Sequence, residues 1–222
     1  MDRVITVDGF ASSGKSTLSR LLAKKLDWSW FSTGVLYRGM AYVERERNLQ
    51  KSDILKFVHS DHWKIHLGGE RTQFFYQDVN VTDQLYMSSI DERASLLSAW
   101  TEFRKALIPF QRAFLPKNEE GKGLIAEGRD CGTQIFPRAP LKVFLQAGED
   151  VRANRRSRDR ARDQLEISTA FKAQRERDRR DRERNFAPTA IPQGSFVLDS
   201  GKNSPEALVE RVYEEVCRIF SF

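Results

Sequence analysis

The sequence predicts an α/β fold around a parallel central sheet, and three observations carry that prediction. Short apolar runs rich in β-branched residues alternate with longer stretches of helical period. The first run ends in a Gly/Ser loop that opens directly into an amphipathic helix. The chain has 222 residues, 40% apolar and 11% aromatic, which suits one domain with a buried core and excludes a disordered or coiled-coil chain.

Residues 4–7 form a short β-branched run, a buried strand, followed by the loop at 9–14. Leu18, Leu21, Leu22 and Leu26 recur at helical spacing and predict a helix over Lys15–Leu26. Residues 34–47 read as a second helix. Residues 63–67, 74–76 and 79–81 read as strand pieces around the turn signal Gly68-Gly69, a small β insertion. Residues 88–114 read as one helix with Leu96, Leu97, Trp100, Phe103, Leu107 and Phe110 on a common face. Residues 123–126 and 141–145 are parallel strands, 151–184 a charged helical stretch and 196–198 a last strand. Pro205–Phe220 closes the chain as a helix with Leu208, Val212 and Val216 inward. Strands joined through helices imply right-handed crossovers.

Two cysteines, Cys131 and Cys217, make neither a disulfide framework nor a Cys-rich metal site. The N-terminus lacks the apolar core of a signal peptide, and no apolar run reaches the roughly 18–20 residues that span a bilayer. The expectation is a cytoplasmic protein with no membrane partner. The net charge is +6, from 37 basic and 31 acidic residues. Residues 151–184 hold thirteen cations against seven anions, so the whole excess lies there. Lys172/Glu176, Glu176/Arg180 and Asp178/Arg182 are i,i+4 pairs on a solvated helix face. Arg177, Asp181 and Arg184 fall at i, i+4 and i+7, where two cations flanking an acid could hold a phosphate and a sugar hydroxyl together.

Gly9-Phe10-Ala11-Ser12-Ser13-Gly14-Lys15-Ser16-Thr17 matches G-x-x-x-x-G-K-[ST] with a strand before it and a helix after it. Glycines there permit positive φ and close approach, so successive N–H groups can cradle phosphate oxygens at a helix N-terminus. Lys15 is expected at the β/γ-phosphates and Ser16 on Mg²⁺. The guanine signature Asn-Lys-x-Asp is missing, and the apolar run 124–126 leads into Glu127-Gly128-Arg129-Asp130 rather than the Asp-Glu pair of motor ATPases. Arg129 suggests a phosphate clamp, with a surface ion pair as its alternative. Thr33 suits a helix cap. Arg38, in the first turn where the helix dipole disfavours cations, suggests an anionic partner or a solvated side chain.

In this order the pieces resemble the bacterial cytidylate kinase family of nucleoside monophosphate kinases. The resemblance runs from Ile5-Thr6-Val7-Asp8-Gly9 and the phosphate loop through Thr33-Gly34-Val35-Leu36-Tyr37-Arg38, Arg104-Lys105-Ala106-Leu107 and Gln111-Arg112-Ala113-Phe114. It continues through residues 123–130, Phe136-Pro137-Arg138-Ala139-Pro140, Glu176-Arg177-Asp178-Arg179-Arg180-Asp181 with Arg184, Ala187-Pro188 and Leu198-Asp199-Ser200. It implies a three-layer P-loop NTPase fold with a parallel central sheet, a helical lid and a small β-containing acceptor-binding insertion. Residues 1–222 would be one domain, with its core at about 1–35, 110–150 and 185–222, the insertion at about 36–109 and the lid at about 151–184.

The implied reaction moves the γ-phosphoryl of ATP to CMP or dCMP, with Mg²⁺. By resemblance, Ser95, Arg104 and Asp130 read the cytosine, Arg38, Arg129 and Arg184 hold the acceptor phosphate, and Arg177 and Asp181 meet the sugar. Tyr37 and Thr33 belong to the same acceptor set. Lys15, Arg38, Arg129, Arg177 and Arg184 are the expected catalytic residues, and Arg155 and Arg156 either pair with ATP or form a helix face. The chain departs from the family pattern at Ser32 and Glu127, each in place of an Asp, at Cys131 in place of an apolar side chain, and in lacking an Arg after Val81-Thr82. A monomer that binds no nucleic acid is expected. The rivals are another small-molecule kinase, uridylate-specific or shikimate-type, and an RNA-binding protein using the Arg-rich segment, which has few aromatics to stack on bases.

Overall fold

In the computed structural model, which describes residues 2–68, 70–115, 122–159 and 167–220, β1 (Val4–Asp8) is buried along its length. It pairs in parallel with β6 (Leu124–Gly128) on one side and β7 (Leu141–Gln146) on the other. β2 (Ser29–Ser32) lies outside β6 and β8 (Phe196–Asp199) outside β7, so the order is β2-β6-β1-β7-β8, all parallel. Both faces are covered, which is why these strands read as continuous apolar runs.

Alternation sorts their side chains between two cores. Ile5, Val7, Ile125, Val143 and Leu145 pack with α1 (Lys15–Leu26) and α8 (Pro205–Phe220). Val4, Phe31, Leu124 and Ala126 join the opposite core, with α2 (Thr33–Glu46), α3 (Lys51–Val58), α4 (Ser88–Ala99) and α5 (Thr101–Arg112). The predicted α/β class, a parallel sheet between helical layers, is therefore the one observed.

The insertion carries an antiparallel sheet of β3 (Trp63–Leu67), β4 (Thr72–Tyr76) and β5 (Val79–Asn80). Phe74 of β4 is fully buried, with its ring stacked 6.0 Å from that of Trp63. Thr72 ties this sheet to β2: its hydroxyl donates to the Trp30 carbonyl at 2.9 Å and accepts from the Ser32 amide at 2.8 Å.

The expected helix over 88–114 is two helices. Trp100 is extended (φ −81°, ψ 115°), its ring stacks on Phe103 at 5.9 Å, and its carbonyl accepts the Arg104 amide to start α5. The break rotates the face: Leu97, Phe103 and Leu107 are buried while Leu96 is 45% exposed. β2 and α3 are elements the pattern did not predict, being only four and eight residues long.

The charged stretch forms α6 (Glu149–Asp159) and α7 (Ile167–Glu183). Arg160, Arg162, Asp163 and Glu166 lie outside the described residues. The Glu176/Arg180 pair forms at 3.1 Å, but Asp178 does not pair along the helix with Arg182. Asp178 is buried and accepts from Arg152 at 2.5 Å, because burial favours the one cation that can follow it inside. Among the described residues no helix is long and apolar enough to cross a membrane.

Candidate active site

β1 lies where the chain crosses from one side of the sheet to the other, and the crevice beyond the carboxyl ends of such strands is where α/β folds bind ligands. The phosphate loop fills that position. Gly9 has φ +150°, and a Cβ there would stand 2.1 Å from the Leu145 carbonyl oxygen, so only glycine fits. Gly14 turns into α1 with φ +90°, and Ser12 takes φ 57°, a left-handed conformation uncommon for a non-glycine residue.

Lys15 is buried at the start of α1, its Nζ donating to the Phe10 carbonyl at 2.6 Å and to Ser13 Oγ at 3.4 Å. Burial, with the nearby Arg129 cation, pulls its pKa well below the ordinary lysine value. An anion arriving in the loop would reverse that shift.

Beside Lys15, the Ser16 hydroxyl donates to Glu127 Oε1 at 2.8 Å, and the Ser32 hydroxyl donates to the same oxygen at 2.7 Å. Ser32 and Glu127, two of the departures from the family pattern, thus meet each other. Glu127 is buried, and its Oε2 has no hydrogen-bond partner among the described residues. An orphaned carboxylate oxygen beside a hydroxyl is a hard-oxygen donor pair that fits Mg²⁺, which typically takes one or two protein ligands and shares the rest with phosphates and water. Among the described residues no cluster of three or more His, Cys, Asp or Glu competes for that role. Thr33 does not cap α2: its hydroxyl donates to the Glu127 carbonyl at 2.9 Å, fixing the end of β6.

After β6 the chain turns sharply through residues 131–135. Asp8 holds this turn, accepting from the amides of Cys131 at 2.8 Å and Gly132 at 2.7 Å, while Arg112 donates to the carbonyls of Gln134 and Ile135. Burial pushes the Asp8 carboxyl up to about 6 despite those two amides. The turn aims Asp130 at Arg104, whose Nη2 donates to Asp130 Oδ2 at 2.5 Å. Both are buried, and the Arg104 guanidinium lies 5.2 Å from the Tyr37 ring centroid. Burial opposes the Arg104 charge, yet Tyr37 and Asp130 outweigh it and hold its pKa above the usual value. Arg104 Nε is buried without a hydrogen-bond partner among the described residues. Ser95 is buried on α4, and its hydroxyl accepts from Arg180 at 3.1 Å rather than joining the Arg104–Asp130 pair.

α7 delivers the next layer. Arg129 Nε donates to Asp181 Oδ2 at 2.8 Å, and Arg184 Nη1 to Asp181 Oδ1 at 3.4 Å. Arg184 Nη2 stands 3.9 Å from Asp130 Oδ1 and has no hydrogen-bond partner among the described residues. Burial alone would raise the Asp181 pKa; Arg129, Arg177 and Arg184 outweigh it and hold the carboxyl below its ordinary range. Arg129 is thus an inward residue paired within the cleft. Arg177 and Arg38 both reach Asp91 on α4, Arg177 at 3.5 Å. The anionic partner that the position of Arg38 suggested is this carboxylate.

α6 and α7 also grip the phosphate loop. Arg152 Nη1 and Gln174 Nε2 each donate to the Ala11 carbonyl at 3.3 Å, and Asp178 accepts from both side chains. Arg155 engages the hydroxyl and carbonyl of Ser200, whose hydroxyl in turn donates to the Ser13 carbonyl at 2.7 Å. Arg156 reaches instead to Asp91 at 3.2 Å. Asp8, Asp91, Arg112, Arg152, Gln174 and Asp178 were not among the site residues read from the sequence. Each acts through a partner at least several residues away; Asp8, Arg112 and Asp178 stood inside the family-like motifs, but their roles there are set by these distant partners.

A family model described as "Cytidylate kinase" matches residues 5–218. The chain is 39% identical over 219 residues to "Cytidylate kinase" of Bdellovibrio bacteriovorus, covering 97% of this chain and 98% of the relative. It is 37% identical over 221 residues to "Cytidylate kinase" of Stutzerimonas stutzeri, covering 96% and 94%. Among solved structures, an uncharacterized protein from Eubacterium ventriosum superposes with a TM-score of 0.52 at 14% identity, covering 96% of this chain and 97% of that one, a likeness of fold alone.

Proposed function

The chain belongs to the cytidylate kinase family, and from that premise we propose that it transfers the γ-phosphoryl of ATP to CMP or dCMP, giving ADP and CDP or dCDP. The observation that carries the acceptor assignment is the buried Arg104–Asp130 pair at 2.5 Å, with Tyr37 beside it and the Arg129–Asp181–Arg184 layer next to it. Cytosine presents an exocyclic amine donor beside two acceptors. A carboxylate takes the amine, and an arginine gives to the acceptors. Uracil places an oxygen where the amine was and leaves a buried carboxylate facing an acceptor, a mismatch that discriminates strongly.

Phosphoryl transfer asks the protein for alignment, charge neutralisation and exclusion of water. The loop amides and Lys15 would hold the donor's phosphates, whose charge would oppose the lowering of the Lys15 pKa. Ser16 and Glu127 would hold Mg²⁺, which neutralises charge on the phosphates when bound. Arg129 and Arg184, kept in the cleft by Asp181, would align the acceptor phosphate with Arg38, and Arg177 with Asp181 would meet the ribose. The attacking phosphate oxygen is already anionic, so no strong general base is required. The grip of α6 and α7 on the Ala11 carbonyl would couple lid position to loop shape, limiting transfer to water.

The reading includes a cytoplasmic monomer. The large apolar side chains exposed among the described residues come from separate stretches: Val79, Tyr86 with Met87, Leu96, Ile191 and Val197. The inward pairing of Arg152, Arg177 and Arg184 counts against an RNA-binding surface on α6 and α7. The test is a coupled ADP-release assay with CMP, dCMP, UMP, AMP and shikimate. Turnover with CMP and dCMP well above the others is expected, and preference for any other acceptor overturns the reading.

A further inference from the structure

Asp91 sits on α4 of the insertion, 7% exposed, at the meeting point of guanidiniums from three helices. It pairs with Arg38 of α2, with Arg156 of α6 at 3.2 Å and with Arg177 of α7 at 3.5 Å. Acceptor side and lid are thereby tied through one carboxylate. Three half-buried cations drawn together without an anion would repel one another strongly in such surroundings. The carboxylate lets them assemble in the free chain.

The same carboxylate, however, uses donors that a phosphate would use. Carboxylate and phosphate offer arginine similar forked acceptors, so one can replace the other on the same guanidiniums. Asp181 and Asp130 differ from Asp91 in this respect. Each has a sugar or base group to receive on the reading above, whereas Asp91 is met by three guanidiniums, two of them assigned to the acceptor.

We propose that Asp91 is an internal stand-in for the acceptor's phosphate, a positioning residue that holds Arg38 and Arg177 together in the free enzyme and yields them when the nucleotide binds. It thereby sets the affinity for the acceptor. This inference rests on the assignment of Arg38 and Arg177 to the acceptor. Exchange of one anion for another means that part of the phosphate's pairing energy goes into releasing Asp91. Removing its charge should therefore act in opposite directions, weakening the free protein and strengthening acceptor binding. A merely structural ion pair would weaken both.

The test uses full-length Asp91→Asn and Asp91→Glu. Calorimetric titration without ATP measures CMP, cytidine and inorganic phosphate binding, beside steady-state kinetics with CMP. Asp91→Asn is expected to bind CMP and inorganic phosphate about tenfold more tightly, equivalent to about 1.4 kcal/mol. Its KM for CMP should fall in step, its affinity for cytidine should not change, and its ligand-free Tm should fall. Asp91→Glu should stay close to the unmodified chain. If Asp91→Asn does not fold, Asp91→Ser carries the same expectations. Unchanged or weaker CMP and phosphate binding in the neutral variant overturns the proposal, as does equal tightening of cytidine. If the unmodified chain does not phosphorylate CMP but the variant still tightens on inorganic phosphate, the acceptor assignment fails while the stand-in survives.

Discussion

The phosphate loop, which follows β1, and the ion-paired cluster proposed for the acceptor, which includes the residues that follow β6, are built in opposite ways. The loop is contiguous, residues 9–17, and its shape comes from backbone: Gly9 at φ +150°, Gly14 at φ +90°, and Lys15 folded back onto the Phe10 carbonyl. The cleft is assembled from side chains of α2, α4, α5, α7 and the end of β6, and its shape comes from ion pairs among Arg104, Asp130, Arg129, Asp181 and Arg184. A site made of backbone depends on local conformation, whereas a site made of paired side chains depends on each partner. Substitutions in the loop should therefore remove turnover for every acceptor. Those in the cleft should redistribute turnover among acceptors.

The largest expected effect is Lys15→Ala. It should lower kcat by about 10³-fold or more with any acceptor, measured under saturating ATP and CMP, because a preorganised cation next to the transferring group is lost. Near-normal kcat would break the contrast on the loop side. Arg184→Ala comes next, at about 10³-fold in kcat/KM for CMP, as for other phosphoryl-transfer arginines. A small effect would reduce it to a partner of the Ala187 carbonyl.

Asp130→Asn should cost about 10²-fold in kcat/KM for CMP and much less for UMP, with little change in ATP binding. An unchanged CMP/UMP ratio would remove the base-reading role. A milder effect is expected where the two regions touch. Gln174→Leu leaves Arg152 alone on the Ala11 carbonyl and should raise the KM for ATP by roughly threefold, about the value of one neutral hydrogen bond, while the KM for CMP stays put.

On stability rather than turnover, the comparison turns on Asp8, which joins the loop strand to the turn carrying Asp130. Its folded pKa of about 6 lies above the ordinary 3.8, so the folded chain holds this proton more tightly than the unfolded chain. The associated stabilisation is complete below about pH 4 and is lost as pH rises through 6, at most about 3 kcal/mol. Asp8→Asn cannot titrate, so the stability gap between the unmodified chain and the variant should narrow across that window in denaturant titrations. A gap independent of pH would contradict the raised value.

The legible parts of the chain follow the same contrast. The loop and the parallel strands were visible because their signals are local: glycines at fixed spacing and apolar runs buried on both faces. β2 escaped because two of its four residues are serines. The break at Trp100 escaped because ring stacking on Phe103, not a helix-breaking residue, sets it. In the cleft, Arg177, Asp181 and Arg184 were visible as a helical i, i+4, i+7 set, and Arg104 and Asp130 through the family resemblance. Asp91 was invisible, since nothing around it in sequence announces that arginines from three helices will meet it. Ser32 and Glu127 looked like two separate departures, but in the fold they share one hydrogen bond. Asp178 looked like a solvated helix charge and is a buried link between α6 and α7.

The most direct measurement follows the phosphorus nuclei of ATP and CMP by NMR after the purified chain is added. The account predicts ADP and CDP appearing in equal amounts, with no inorganic phosphate beyond the background. ADP without CDP, or no conversion while UMP or another acceptor is phosphorylated, would contradict it.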